Sequence, residues 1–376
     1  MFLITIQTIF VYLLLAWVLY DFGQRADWTN KFKYAIIGLI IYSIFWGLRY
    51  GVGRDCISYI EEYDLFRRSG YLVRDTTERG YSSIIKFFAG LDLHSFFYMA
   101  FVAFFQIFGT YFFFKKDKRL LPYIGLIFIL STTCITYGNG MRQEMAFSFL
   151  MLSLYCAREK HYILHYLMIA LAISMHNSAI LLLVFLPIFL IDKDFFPRII
   201  VQYVILAVSV VLGQTSFFDQ ISQYIDIASQ YAGYEVYTQD RTYADNLINR
   251  NDSIGIGFVI GLFIDVLIVR GSQMMKSSHP DLKFLYNLYF IGCFVKYAFI
   301  NSSLIQRVNY YFYGFAFVIA AAVLESYFAN KKRKEYYILL GAYVLWLFAN
   351  LYRMFDNSMA YFFIWQKDLF NQLTSY

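Results

Sequence analysis

Charge is what this 376-residue chain has least of: Asp, Glu, Lys and Arg together make up 15% of it, against 60% hydrophobic and 22% aromatic residues. A soluble protein of this length does not carry so much apolar surface with so little charge to cover it, which excludes the water-soluble globular class. Proline is scarce too, four in all, so long segments run uninterrupted. The four cysteines show neither paired spacing nor a zinc pattern: Cys134, Cys156 and Cys293 lie in apolar runs and Cys56 in a polar loop. No P-loop occurs, and Gly51-Val-Gly53 is not a dinucleotide fingerprint, because no strand precedes it and the third glycine is missing.

What is there instead is apolar length. Segments of about 16–22 residues recur along the whole chain, the signature of membrane-crossing helices. Twelve read as spans, at 2–20, 34–50, 94–114, 120–137, 143–157, 162–178, 179–191, 199–213, 254–269, 284–300, 308–329 and 336–351. The expected fold is an all-α polytopic membrane protein, a single integral membrane domain over 1–376. Tyr81–Leu91 is too short to cross and reads as an interfacial or re-entrant piece of an outer loop, 49–93. The longest polar stretch, 214–253, is the largest outer loop, and the tail 352–376 is amphipathic and expected along the outer interface. Met1–Tyr20 has no basic n-region and no small-residue cleavage site, so it reads as a first span.

Positive charge orients the set. The alternate loops 21–33, 115–119, 158–161, 192–198, 270–283 and 331–334 hold 12 lysines. By the positive-inside rule they face the cytoplasm, which leaves both termini outside. The net charge of +6 is therefore a topology signal and implies no nucleic-acid partner; the partner is the lipid bilayer. In the outer polar segments, with Tyr81–Leu91 and its Lys86 set apart, Lys367 is the one lysine, whereas arginine divides 6 inside and 11 outside. Lysine is a hydrated point charge; arginine is a planar fork that meets phosphate oxygens two at a time. An outer surface with arginine and almost no lysine suits a phosphate-binding site. The other reading pairs those arginines with the outer acidic residues Asp55, Glu61, Glu62, Asp64, Asp75 and Glu78.

The densest clue is Tyr137–Glu144, Tyr-Gly-Asn-Gly-Met-Arg-Gln-Glu, set between two membrane-grade runs. Charge at that depth costs roughly 2.5–3.5 kcal/mol on insertion scales. Arg142, with Gln143, reads either as part of a polar site at the outer boundary or as a loop arginine snorkelling to headgroups. On the same side lie Arg49, Arg54 and Asp55 around the Gly51–Gly53 turn, then Glu78, His176 at the end of the sixth span, and Arg307. These outer residues show no metal-ligand spacing, and no metal or cofactor is expected. Arginines there would bind a diphosphate and neutralise the charge that grows on it as it leaves. His176 as first choice, or Glu78 as second, would take the proton of an attacking hydroxyl. The plainer reading of His176 is a hydrogen-bonded core histidine. The loop residues Tyr224, Tyr231, Tyr234, Tyr237, Asp240, Tyr243 and Asn246 suit sugar recognition, and equally an aromatic membrane interface.

Taken in order, Gly53-Arg54-Asp55 with Tyr59, Glu78-Arg79-Gly80-Tyr81, Asn139-x-x-Arg142-Gln143-x-x-Ala146, His176-Asn177-Ser178 and then Arg307 resemble the EpsG family. That family is grouped with Wzy-type O-antigen and capsular polysaccharide polymerases, and the likeness runs over about residues 1–350. The resemblance implies a GT-C-like architecture of about 12 helices in a bacterial cytoplasmic membrane, with outer loops and short interfacial helices forming the site. It implies an inverting, metal-independent glycosyltransferase of exopolysaccharide biosynthesis. The growing glycan passes from undecaprenyl diphosphate onto a lipid-linked repeat unit on the outer side. In those terms His176, Glu78 and Arg142 are catalytic. Arg142 and Arg307 hold the diphosphate with Arg49 and Arg54 in support, and Asp55, Gln143, Asn139 and Tyr59 complete the substrate contacts. Lipid-linked oligosaccharides are the donor and acceptor, with a chain-length regulator and a flippase as companions. Three rivals share parts of this pattern. A flippase needs the same arginines, but in a cavity open alternately to both sides and often with internal repeats, which are not visible here. An acyltransferase using His176 would draw its donor from the cytoplasm. A ligase joining finished polymer to an acceptor has the same site logic, and the sequence leaves it open.

Overall fold

The computed structural model of the protein describes residues 1–71, 78–185, 191, 193–215 and 255–374. The loop expected to recognise sugar, 214–253, lies almost wholly outside them. The elements run α1 (Phe2–Trp28), α2 (Lys33–Gly47), β1 (Arg49–Tyr50), α3 (Cys56–Ser69), α4 (Arg79–Gly90), α5 (Ser95–Phe113), α6 (Leu121–Leu130), α7 (Thr133–Asn139), α8 (Met141–Arg158) and α9 (Tyr162–Met175). A 3-10 helix, Asn177–Val184, follows, then α10 (Ile199–Leu212), α11 (Ile256–Ser278), α12 (Lys283–Ala298), α13 (Ser303–Tyr313), α14 (Ala316–Ala329), α15 (Arg333–Tyr352), β2 (Phe362–Phe363) and α16 (Lys367–Thr374). The protein is an all-α membrane protein. Helix prevails because a chain in lipid has to satisfy its backbone hydrogen bonds within each segment.

Four helical stretches among the described residues are long and apolar enough to cross a membrane: α1, α5, α11 and Ile305–Ala329, which runs through α13 and α14. A fifth is added if Lys118–Leu130 and Thr133–Asn139, bent by 68°, count as one span. The other expected spans coincide with shorter or more polar helices, except 179–191, which begins as the 3-10 helix Asn177–Val184. Chain contacts divide the protein into two compact units, Met1–Leu190 with Tyr343–Tyr376, and Ile191–Ala342.

The bend between α6 and α7 has a local cause. Thr132 adopts a positive φ of 60°, which ends the first helix, and the Ser131 carbonyl so freed accepts from Trp346 Nε1 at 3.1 Å. Irregular backbone at membrane depth is tolerated where protein groups re-satisfy it. Elsewhere in the first unit, small residues let helices cross closely. A Cβ on Gly109 of α5 would sit 2.1 Å from the Ser148 carbonyl of α8. The C-terminal segment folds back onto this unit: β2 pairs antiparallel with β1, Arg49 opposite Phe363 and Tyr50 opposite Phe362. Gln7 of α1 donates to the Tyr361 carbonyl at 2.8 Å and pins the same segment.

The second unit is organised around a fully buried carboxylate, Asp265 of α11. It accepts from Tyr289 (2.8 Å), Tyr297 (2.6 Å), Tyr313 (3.0 Å) and Lys296 Nζ (2.9 Å), tying α11, α12 and α13 together. Gln306 Nε2 reaches the carbonyls of Lys296 (3.0 Å) and Phe299 (2.9 Å), replacing the donors that α12 lacks beyond its end.

Candidate active site

Four chain breaks meet in the first unit: the turn into α3, the start of α4, the α7–α8 junction and the end of α9. Two glycines allow the approach. Gly53, at φ +86°, leaves no room for a side chain, since a Cβ would lie 2.6 Å from Asn139 Oδ1. Gly80 does the same for α4 and α9: its Cβ would lie 2.3 Å from Ser174 Oγ and 2.7 Å from the Ser174 carbonyl. With α4 laid against the end of α9, Glu78, the residue just before α4, comes within reach of His176, the residue just after α9. His176 is in extended conformation, so the chain turns away there from its helix.

Glu78 is the centre of the cluster. It is 9% exposed, and its two oxygens are divided between partners. Oε1 accepts from His176 Nδ1 at 2.8 Å and from the Asn177 backbone N–H at 3.3 Å, while Oε2 accepts from Arg142 Nη1 at 2.7 Å. Burial alone would raise its pKa, but the hydrogen bond from His176 and the charge of Arg142 outweigh it, and the net value falls to about 2. Glu78 is therefore an acceptor-only carboxylate, so the hydrogen on His176 sits on Nδ1. In the neutral ring the lone pair is then on Nε2, which has no hydrogen-bond partner among the described residues. A carboxylate that fixes the tautomer and orientation of an imidazole is the arrangement by which histidine serves as a general base.

The junction carrying Arg142 is held from behind. Gln106 of α5, fully buried, donates to the carbonyls of Tyr137 (2.8 Å) and Met141 (3.2 Å). Tyr59 of α3 donates to the Asn139 carbonyl at 3.2 Å. Burial pushes its phenol up to about 12 against the opposing charge of Arg142 beside it, so it stays protonated. Arg49 is 1% exposed. Its guanidinium lies 5.1 Å over the Trp46 ring, Nη1 donates to the Trp46 carbonyl, and Nη2 is 3.9 Å from Met141 Sδ. No carboxylate among the described residues pairs with it, and it braces the junction from inside the protein.

The structure thus joins Glu78, His176, Arg142, Asn139 and Tyr59 into one cluster. Gln143 lies buried in the first turn of α8. Arg54 and Asp55 are exposed at the turn into α3, and Arg54 has no ion pair among the described residues. Arg307 is on α13 of the second unit. Sequence reading missed Gln106, although an amide in an otherwise apolar span is itself a signal. It also passed over two metal-like spacings, His161-x-x-x-His165 and Asp192-x-Asp194. His165 is buried against Ser153, its Nδ1 3.0 Å from the Ser153 carbonyl, and no group of three His, Cys, Asp or Glu side chains among the described residues could hold a metal.

The model of the EpsG family matches residues 32–364 of the chain. No curated protein and no solved structure matches it.

Proposed function

We infer that this chain, which belongs to the EpsG family, is a membrane-embedded polysaccharide polymerase acting on lipid-linked sugars. In this reading the growing glycan leaves undecaprenyl diphosphate and joins a hydroxyl of a lipid-linked repeat unit on the outer face of a bacterial cytoplasmic membrane. The twelve-span topology with outer termini belongs to the same reading. The observation that carries it is Glu78 holding His176 and Arg142 at once. A carrier protein needs cationic groups for a diphosphate; glycosyl transfer needs in addition a base for the acceptor hydroxyl, which an imidazole oriented by a carboxylate supplies.

His176 Nε2 takes the proton of the acceptor hydroxyl as that oxygen attacks the anomeric carbon. The bond from that carbon to the diphosphate oxygen breaks, and the diphosphate departs with the electron pair. One displacement inverts the anomeric configuration. Arg142 places a fixed positive charge where negative charge accumulates on the leaving group, and Arg54 and Arg79, both exposed beside the cluster, attract the diphosphate. Glu78 keeps His176 in the accepting tautomer and stabilises the imidazolium that forms. Arg49 acts as a brace.

The test is reconstitution of the purified protein with a lipid-diphosphate-linked repeat unit, EDTA present and nucleotide sugars absent. A ladder of longer lipid-linked products, lost in His176→Ala by roughly 10²–10⁴-fold in rate, is expected. No ladder from folded protein and the cognate unit would overturn polymerisation and point to a ligase or a flippase, which an added acceptor distinguishes.

A further inference from the structure

On the side of α3 away from Tyr59, the structure holds a second polar feature, a cavity of about 210 Å³ lined by Tyr50, Ile57, Ile60, Glu61, Asp64, Leu65, Arg68 and Lys367. Positions 57, 60, 61, 64, 65 and 68 follow helical spacing, so one continuous face of α3 makes one wall. The opposite wall is Tyr50 of β1 and Lys367 of α16. It is a built wall: the β1–β2 ladder fixes Tyr50 against Phe362, and Phe370 packs edge-on against the Tyr50 ring at 5.3 Å.

Four of the polar groups of this groove have no hydrogen bond or ion pair among the described residues. Tyr50 is 4% exposed, yet its hydroxyl has no hydrogen bond among the described residues. The carboxylate of Glu61, the guanidinium of Arg68 and the ammonium of Lys367 have no ion pair among them either; Lys367 Nζ lies 5.8 Å over the Tyr50 ring. Asp64 is only loosely engaged, 3.8 Å from Arg67. Two carboxylates, two cations and a phenol surround an apolar floor of Ile57 and Ile60. A lipid phosphate would meet Glu61 and Asp64 as repulsive neighbours. A sugar ring suits the whole set: its hydroxyls donate to the carboxylates and accept from Arg68 and Lys367, and its C–H face lies on the isoleucines. At about 30 Å³ of liquid volume per water, the cavity corresponds to about seven waters, below the roughly 300–1,000 Å³ of a drug-sized pocket.

We propose that the groove between α3 and the C-terminal segment is a saccharide subsite that holds one sugar residue of the substrate away from the reacting bond. It rests on the polymerase reading for the source of the sugar, but binding there requires no chemistry. Contacts with a remote part of a substrate supply the energy that positions its reacting end.

The test is saturation-transfer NMR on the full-length protein in nanodiscs, with millimolar glucose, galactose, N-acetylglucosamine, N-acetylgalactosamine, rhamnose, glucuronic acid and, separately, glycerol phosphate. Transfer to at least one sugar is expected, weakened about tenfold or more by Glu61→Gln and by Arg68→Gln, as for loss of a charge-assisted hydrogen bond. It is expected to persist in His176→Ala. No transfer to any sugar, transfer that both groove variants leave intact, or transfer lost in His176→Ala overturns the proposal. Transfer to glycerol phosphate alone makes the groove a headgroup site and also overturns it. A product ladder without groove binding leaves the polymerase standing and removes the subsite; groove binding without a ladder does the reverse.

Discussion

Replacing Glu78 by Gln changes one oxygen to an amide nitrogen and nothing in shape, yet it removes the charge that three donors share. The drop in the Glu78 pKa from 4.5 to about 2 corresponds, at about 1.4 kcal/mol per pH unit, to roughly 3 kcal/mol by which the fold favours the carboxylate over the acid. A neutral amide at this position cannot restore it. The amide nitrogen can donate to His176 Nδ1, which moves the ring hydrogen to Nε2 and leaves no lone pair facing the acceptor. A comparable tautomer error in a serine protease triad costs about 10⁴-fold in kcat, so a loss of roughly 10³–10⁴-fold is expected here. Product ladders under single-turnover conditions, at matched amounts of folded protein, measure it. The stability consequence has a definite sign. A folded-state pKa below the unfolded one gives stability that is present above pH 4.5 and lost as pH falls toward 2. The difference in melting temperature between the native protein and Glu78→Gln should therefore be constant from pH 8 to about 5 and shrink below that. A Glu78→Gln protein that polymerises at the native rate would refute the assignment of His176 as an oriented base.

Arg142→Lys keeps the charge but loses the fork, and should lower kcat by roughly 10²-fold or more, with membrane insertion intact by protease protection. Arg54→Gln and Arg79→Gln should instead raise KM for the lipid-linked unit about tenfold, and less so at high salt, as read from initial rates over a concentration series. Gly80→Ala should force α4 off α9, costing about 1–3 kcal/mol on thermal melting and abolishing the ladder because Glu78 leaves His176. In the second unit, Asp265→Asn leaves the Lys296 ammonium without its counter-charge and should cost about 3–5 kcal/mol, measured as a fall in melting temperature in detergent.

The parts of this molecule legible in its sequence are those where a residue contradicts its surroundings. Arg142 and His176 stood out because each interrupts an apolar run, and Gly51 and Gly53 because only a turn needs two glycines there; both indeed have positive φ. The pairing was not legible. Glu78 and His176 are 98 residues apart and meet only because Gly80 lets α4 rest on Ser174. Helix lengths were blurred for a related reason. The run 120–137 reads as one span, but Thr132 takes a positive φ and the helix turns by 68°. The side chain that makes this tolerable, Trp346, lies more than 200 residues away.

Arg49 shows most clearly where one-dimensional reasoning ends. In sequence it matches Arg142: an arginine at the outer end of an apolar run, near glycines. In the structure the pairing of β1 with β2 closes the C-terminal segment over it, and its guanidinium meets Trp46 and Met141 inside the protein. Of the two readings of the outer arginines, pairing with acids holds for some of the described ones and not for others. Arg142 is paired with Glu78, Arg67 lies near Asp64 and Asp92, and Arg353 is paired with Asp356, whereas Arg54, Arg68 and Arg79 are exposed without an ion pair among the described residues. In the polymerase reading proposed above, Glu78 offsets the charge of Arg142 in the resting site, so the long-range attraction for a diphosphate would fall to Arg54 and Arg79. Arg142 would then act at short range, where leaving-group charge appears only as the bond breaks. Attraction from exposed charges is screened by salt and felt in substrate capture, while a half-buried, oriented charge is felt in the chemical step. That separation is why substitutions of arginines so close together are expected to move KM in one case and kcat in the other.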